Sequence, residues 1–91
     1  MSITVRIPTQ LRSLTDGAAE VDVSDGTVGD VLVELERRYP GFKARVLDDT
    51  GALRRFVNVY VGEEDVRFLD GLETEVPDGG GMSIIPAVAG G

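Results

Sequence analysis

The 91-residue chain contains neither cysteine nor histidine. These two absences together remove disulfides, thiolate nucleophiles, imidazole acid–base chemistry and the usual zinc sites. Long apolar runs are missing too, since no stretch approaches the roughly 20 residues that span a bilayer. Met1 to Pro8 shows no basic segment followed by an apolar run, so a secretory leader is not expected and the cytoplasm is the expected compartment. Positive charge is scarce: nine Lys and Arg against sixteen Asp and Glu give a net charge of −7. A body this acidic repels phosphate backbones and anionic lipid, so nucleic acid and membrane surfaces are poor partners. The same charge suits a partner with a basic docking face, or it only keeps the domain soluble.

What is present describes an ordinary folded domain. Apolar residues make up 42% and charged residues 27%, a balance that excludes a disordered chain. The length allows one domain, burying about 60–65% of the surface its unfolded chain would expose. Ile3, Val5 and Ile7 alternate with polar neighbours, and Val21 and Val23 repeat that period in Glu20 to Ser24; both segments read as half-buried strands. With the turn signal Asp16-Gly17 between them, they are expected to form a hairpin with a long connection. The period then changes. Val28, Val31, Leu32, Leu35 and Tyr39 share one helical face, entered by Thr27 and Asp30 as a capping-box variant and ended by Pro40-Gly41. Glu34 and Arg38 are spaced to pair along its solvent side.

Downstream, Phe42 to Thr50 reads as a short helical turn, and Arg55 to Val61 as a strand dense in β-branched and aromatic residues. Val66 to Phe68 is expected as a short edge strand, Leu72 to Val76 as irregular chain, and Pro77 to Gly81 as a turn. Met82 to Val88 reads as a last strand with Met82 and Ile84 inward, interrupted by Pro86. A helix must cover one face of a mixed sheet for both apolar surfaces to be buried. The expected architecture is therefore α+β: a β-grasp, or ubiquitin-like, fold with a mixed sheet of about four to five strands on one main helix. Residues 1–88 would form that single domain and 89–91 a flexible tail.

Side chains offer little chemistry. Glu63-Glu64-Asp65 and Asp48-Asp49 lie in turn-like stretches and lack the oxygen-rich loop spacing of a hard-cation site, so no metal is expected. No imidazole can activate the hydroxyls, and no lysine stands at a recognisable spacing from a serine. Gly79 to Gly81 has no following helix to supply phosphate-binding amides; it reads as a turn.

The end of the chain differs. Ala87, Val88, Ala89, Gly90 and Gly91 contribute almost nothing to a core, yet extended they reach about 17 Å. Glycines without Cβ can thread a channel too narrow for other residues. Two terminal glycines arise by chance about 2% of the time at this composition, so a frayed terminus is the bland alternative. The terminal carboxylate is ionised at neutral pH and is a poor electrophile until activated, for instance as a mixed anhydride with adenylate. The tail thus reads as a carrier arm whose reactive group is Gly91 itself, with no catalytic side chain.

The ending I-I-P-A-V-A-G-G (Ile84 to Gly91), with R-F-V-N-V-Y-V-G-E-E-D-V-R-F (Arg55 to Phe68), resembles the ThiS/MoaD family of sulfur carriers. The likeness also takes in I-P-T-Q-L-R after the first strand and T-V-G-D-V-L at the helix start. The glycine pair is shared with ubiquitin, whereas the F-V-N-V-Y-V…D-V-R-F block is more specific and resembles the CysO type of actinobacterial cysteine biosynthesis. Gly80-Gly81 departs from the pattern, since relatives usually carry an acidic residue before the last strand.

The resemblance implies a protein co-substrate rather than an enzyme, with no bound cofactor. A ubiquitin-activating-type enzyme would use ATP and magnesium to adenylate Gly91, and a sulfur donor would convert the acyl adenylate to a thiocarboxylate. In CysO-like systems the acceptor is an activated serine on a pyridoxal phosphate enzyme, and a metalloprotease later frees the cysteine. Other members supply molybdopterin, thiamin thiazole or sulfur-containing secondary metabolites. Both partners must accept the same tail, and Ile85, pointing outward beside it, is the expected docking residue. Tyr60, with Phe56 on the face opposite Val57, Val59 and Val61, is the second candidate unless a helix or loop covers them. Two other classes stay open: a modifier that forms isopeptide bonds to lysines, and an interaction module that is never activated.

Overall fold

A computed structural model describes residues 2–86. Four of the alternating segments form strands: β1 (Ser2–Arg6), β2 (Glu20–Ser24), β4 (Val57–Val61) and β7 (Gly81–Pro86). Two-residue strands complete the set: β3 (Gly26–Thr27), β5 (Glu64–Asp65) and β6 (Glu75–Val76). The main sheet has the order β2-β1-β7-β4-β5, with β3 and β6 paired separately. β1 and β7 run parallel at its centre and every other pair is antiparallel.

Alternation sets the register. Ile3 faces Val23, Val5 faces Val21 and Met82, and Val59 faces Ile84, so one sheet face is wholly apolar. Helix α1 (Val28–Arg38) covers it with Val28, Val31, Leu32 and Leu35, all at 0% exposure. Burying each such side chain is worth about 1.5–3 kcal/mol. The helix start is capped in both directions: the Asp30 amide donates to the Thr27 hydroxyl and the Thr27 amide to the Asp30 carboxylate, each at 3.1 Å. Arg38 pairs with Glu34 at 2.7 Å along the solvent side. Gly41, at φ 97°, reverses the chain into α2 (Phe42–Val46), whose Phe42 and Val46 complete the core. This β-sheet grasping one helix is the expected β-grasp fold.

Several local expectations are corrected. The edge strand is Glu64–Asp65, because Gly62 (φ 63°) turns the chain back within two residues. Val66–Phe68 instead coils into a 3-10 turn; the Asp65 carboxylate accepts from the Arg67 amide at 2.8 Å and Val66 is drawn into the core. Leu72 to Val76 is not irregular throughout: a 3-10 turn over Gly71–Glu73 leads into β6, which pairs with β3 at the helix entrance. β4 starts at Val57 rather than Arg55, since the Val57 amide closes a turn onto the Arg54 carbonyl at 3.1 Å. The last strand begins one residue early, at Gly81. Its expected continuation to Val88, and the boundary between 88 and 89, lie outside the described residues.

The glycine departure before β7 has a geometric reason. The Gly80 amide donates to the Pro77 carbonyl at 2.8 Å, and a Cβ at Gly80 would stand 2.8 Å from that same oxygen. A side chain at that position forces the turn to shift.

Candidate functional site

Ala87, Val88, Ala89, Gly90 and Gly91, expected to carry the chemistry, lie outside the described residues. What the structure places is their root. β7 is the second-last stretch of the chain and the middle strand of the sheet, so its outward side chains sit on a broad exposed face. Met82 and Ile84 are buried, and pleating turns Ser83 and Ile85 outward.

Two rows cross that outer face. Glu20, Arg6, Ser83, Tyr60 and Asp65 are successive ladder partners from β2 to β5. In the next row Asn58 faces Ile85. Ile85 and Tyr60 therefore share one face, one row apart. Ile85 is 49% exposed and Tyr60 is partly buried. Phe56, 51% exposed, lies just before Val57, the ladder partner of Pro86. The Arg55 guanidinium stacks 5.8 Å over its ring. At the end of β7, Pro86 lines one groove with Ile85 and another with Phe56.

Sequence reasoning missed the residues that hold this end in shape. The Arg67 guanidinium donates to the Asn58 side-chain oxygen at 2.8 Å and to the Arg54 carbonyl at 2.7 Å. Arg54 Nε donates to the Ala44 carbonyl at 2.9 Å, and Arg12 Nε to the Ile7 carbonyl at 3.1 Å. Two grooves flank the strand end. One of about 370 Å³ is lined by Arg6, Pro8, Arg12, Ile85 and Pro86 among others. The other, about 420 Å³, is lined by Asp48, Arg54, Arg55, Phe56, Val57 and Pro86. No spacing signal announces these arginines, because they come from four separate segments.

Of the acids the sequence singled out, Asp48 and Asp65 hold turns, and Glu36, which it did not single out, holds another. The Asp48 carboxylate takes the Thr50 hydroxyl at 2.6 Å and the Thr50 and Ala52 amides, which hold its pKa below the usual carboxylate value. Glu36 accepts the Gly41 and Lys43 amides at the start of α2, and those bonds lower its pKa likewise. Among the described residues, no group of His, Cys, Asp and Glu could hold a metal ion. No helix among them is long and apolar enough to cross a membrane.

The model of the ThiS family matches residues 5–91. This chain belongs to the ThiS family. The sulfur carrier protein CysO of Mycobacterium tuberculosis is 50% identical over 93 residues, covering all of both chains. Its crystal structure aligns at a TM-score of 0.90, with 48% identity over 94% of this chain and 99% of that one. A chain in the crystal structure of the Amycolatopsis orientalis BexX/CysO complex aligns at 0.91, with 49% identity over 98% and 99% of the two chains. Small archaeal modifier protein 3 of Haloferax volcanii is 45% identical over 67 residues, or 74% of this chain and 72% of that protein. The family match extends through the glycine pair, and the resemblance read from the F-V-N-V-Y-V and I-I-P-A-V-A-G-G segments is to this family.

Proposed function

We propose that this chain is a sulfur carrier whose working group is the Gly91 carboxylate. The observation that carries the reading is the full-length similarity to the CysO sulfur carriers, with a family match that runs to residue 91. A ubiquitin-activating-type enzyme uses ATP and magnesium to activate that carboxylate. A Gly91 carboxylate oxygen bonds to the α-phosphorus of ATP and pyrophosphate leaves; a sulfur nucleophile then bonds to the acyl carbon and AMP leaves. The resulting thiocarboxylate is a protected, nucleophilic form of sulfide. At a second enzyme, pyridoxal phosphate-dependent if the acceptor is an activated serine, the thiocarboxylate sulfur bonds to the serine Cβ in place of the activating group, which leaves, and a metalloprotease then hydrolyses the product from Gly91. The acceptor belongs to cysteine biosynthesis or to a sulfur-containing metabolite. The chain brings reach, backbone slenderness and a docking face at Ile85 and Tyr60, and no catalytic side chain. It works in the cytoplasm as a monomer between partners.

Intact mass tests the reading. The chain is incubated with a ubiquitin-activating-type enzyme, ATP, magnesium and a sulfide source, beside a variant lacking Gly91. The expected result is a gain equal to replacing one oxygen by sulfur, absent in the truncated variant. No gain, with a known carrier reacting in parallel, would overturn it. The similarity to small archaeal modifier protein 3 favours one second reading, isopeptide modification of lysines, which uses the same activation. Lysine conjugates carrying Gly91 in cell extract would identify it.

A further inference from the structure

The net charge of −7 conceals a sorting of charge along the exposed sheet face. At the Gly81 end of β7 stand carboxylates. Asp22 accepts the Thr4 hydroxyl at 3.0 Å, Asp78 accepts the Ser2 amide at 3.0 Å, and Glu63 borders the Gly79–Gly81 turn. Toward the Pro86 end stand guanidiniums: Arg12 in one flanking groove, Arg54 and Arg55 in the other, and Arg67 against Asn58, while Arg6, beside Ser83 in mid-strand, lines both the first of these grooves and the one it shares with Glu20 and Glu63. These are five of the nine basic residues of the chain. Arg12, Arg54 and Arg67 donate to neutral carbonyl or amide oxygens, bonds that do not cancel their charge; Arg54 in addition interacts with the nearby Asp48 carboxylate. Arg6 faces Glu20 at 3.8 Å with both side chains more than half exposed, a pair of little energetic weight. Asp48 borders the second groove, but its carboxylate is occupied mainly by Thr50 and Ala52. Ile85 and Pro86 in the first groove, and Phe56 and Pro86 in the second, supply apolar surface beside the guanidiniums.

We infer that this strand end docks onto a protein surface that is apolar at its centre and rimmed by carboxylates, the reverse of what the net charge alone suggests. The inference rests on the carrier reading, in which the root of the tail must be held at a partner's active site. Arginine suits the task because its planar fork takes a carboxylate two-pronged while its stem lies on apolar surface. The opposed acidic end adds orientation: a carboxylate-rimmed partner is attracted to one end of the face and repelled from the other, which selects the pose that points residue 86 inward.

Two synthetic peptides of equal length test this, one alternating leucine with glutamate and one alternating leucine with lysine. Each is titrated into the isotopically labelled full chain at low salt, and amide shifts are mapped. The glutamate peptide should shift residues 83–86 and 54–58 and bind at least tenfold more tightly than the lysine peptide. An R6E/R55E double variant should lose that preference, and R6Q/R55Q should weaken it, while E63K/E64K, which removes the repulsion at the opposite end, should not lower it. Equal binding of the two peptides, a preference for lysine at residues 83–86, or no shift there at all would overturn the inference. The mass experiment is independent of these titrations. A thiocarboxylate without the peptide preference would sink the docking surface alone; the preference without a thiocarboxylate would sink the carrier reading alone.

Discussion

Arg67 holds Asn58 from the outer face of the sheet, its Nη1 donating to the Asn58 side-chain oxygen at 2.8 Å, and Asn58 is the residue that faces Ile85. Its second prong, on the Arg54 carbonyl at 2.7 Å, ties down the turn that carries Arg55 and Phe56. One exposed side chain thus fixes both the row of Ile85 and the wall of a groove beside it. The contacts are solvent-facing, so Arg67→Ala should cost only about 1 kcal/mol, a fall in Tm of roughly 4–8 °C for a domain of this size. Arg67→Lys keeps the charge without the two-pronged geometry and should recover little of that loss. An unchanged Tm for Arg67→Ala in thermal melts would show that the fork contributes nothing to the fold.

The turn before β7 makes a second prediction. Gly80→Ala must push a Cβ against the Pro77 carbonyl oxygen, whereas a Cβ at Gly81 meets the Thr4 carbonyl at an ordinary 3.6 Å. Strain of this kind typically costs about 1–3 kcal/mol. Gly80→Ala should therefore lower Tm by several degrees, and Gly81→Ala should leave it close to wild type. Equal melting of the two variants would mean that the turn relaxes without penalty.

The elements legible in the sequence are those with enough residues to show a period. Ile3, Val5, Val21, Val23, Met82 and Ile84 alternate, and Val28, Val31, Leu32 and Leu35 fall on one helical stripe, so sheet, helix and core could be read directly. Two-residue strands show no period. β3 and β6 exist because the Val28 amide finds the Thr74 carbonyl at 2.9 Å across nearly fifty residues, a contact without local signature. The D-V-R-F stretch alternates like a strand, but Asp65 caps its own turn and Val66 dives inward. The candidate site divides the same way. Ile85 stood out because its neighbour Ile84 already claims the core, while the guanidiniums around it are gathered by tertiary structure alone.

Ile85 is the sharpest single-residue test of the docking face. Half its surface is exposed, so Ile85→Asp should fold, with a Tm loss no larger than about 5 °C from lost strand preference. If the side chain is buried against the activating enzyme, the substitution removes apolar contact and leaves a carboxylate to desolvate. The KM for adenylation should then rise at least tenfold, about 1.4 kcal/mol, with a smaller change in kcat. Ile85→Val should stay within a few-fold. An adenylation rate for Ile85→Asp equal to wild type, with folding intact, would remove Ile85 from the interface.

Acid should loosen the α2 region before the rest of the fold. Glu36 and Asp48 both have folded-state pKa values depressed by hydrogen bonds, from the Gly41 and Lys43 amides and from Thr50 and Ala52 respectively. A carboxyl with a depressed folded pKa binds protons more readily when unfolded. Its stabilisation is therefore fully present above the unfolded value, about 4, and is lost as pH falls through the lower folded value. Both groups are open to solvent, so the effect is a modest downward slope in stability below about pH 4 rather than a cliff. Glu36→Gln/Asp48→Asn should lower Tm at pH 7 and flatten that slope, because neutral amides hold the same positions without titrating. Urea melts of the double variant and wild type at neutral pH and in acid check it, reading amide protection over residues 41–52. A slope as steep in the double variant as in the wild type would place the acid sensitivity on other carboxylates.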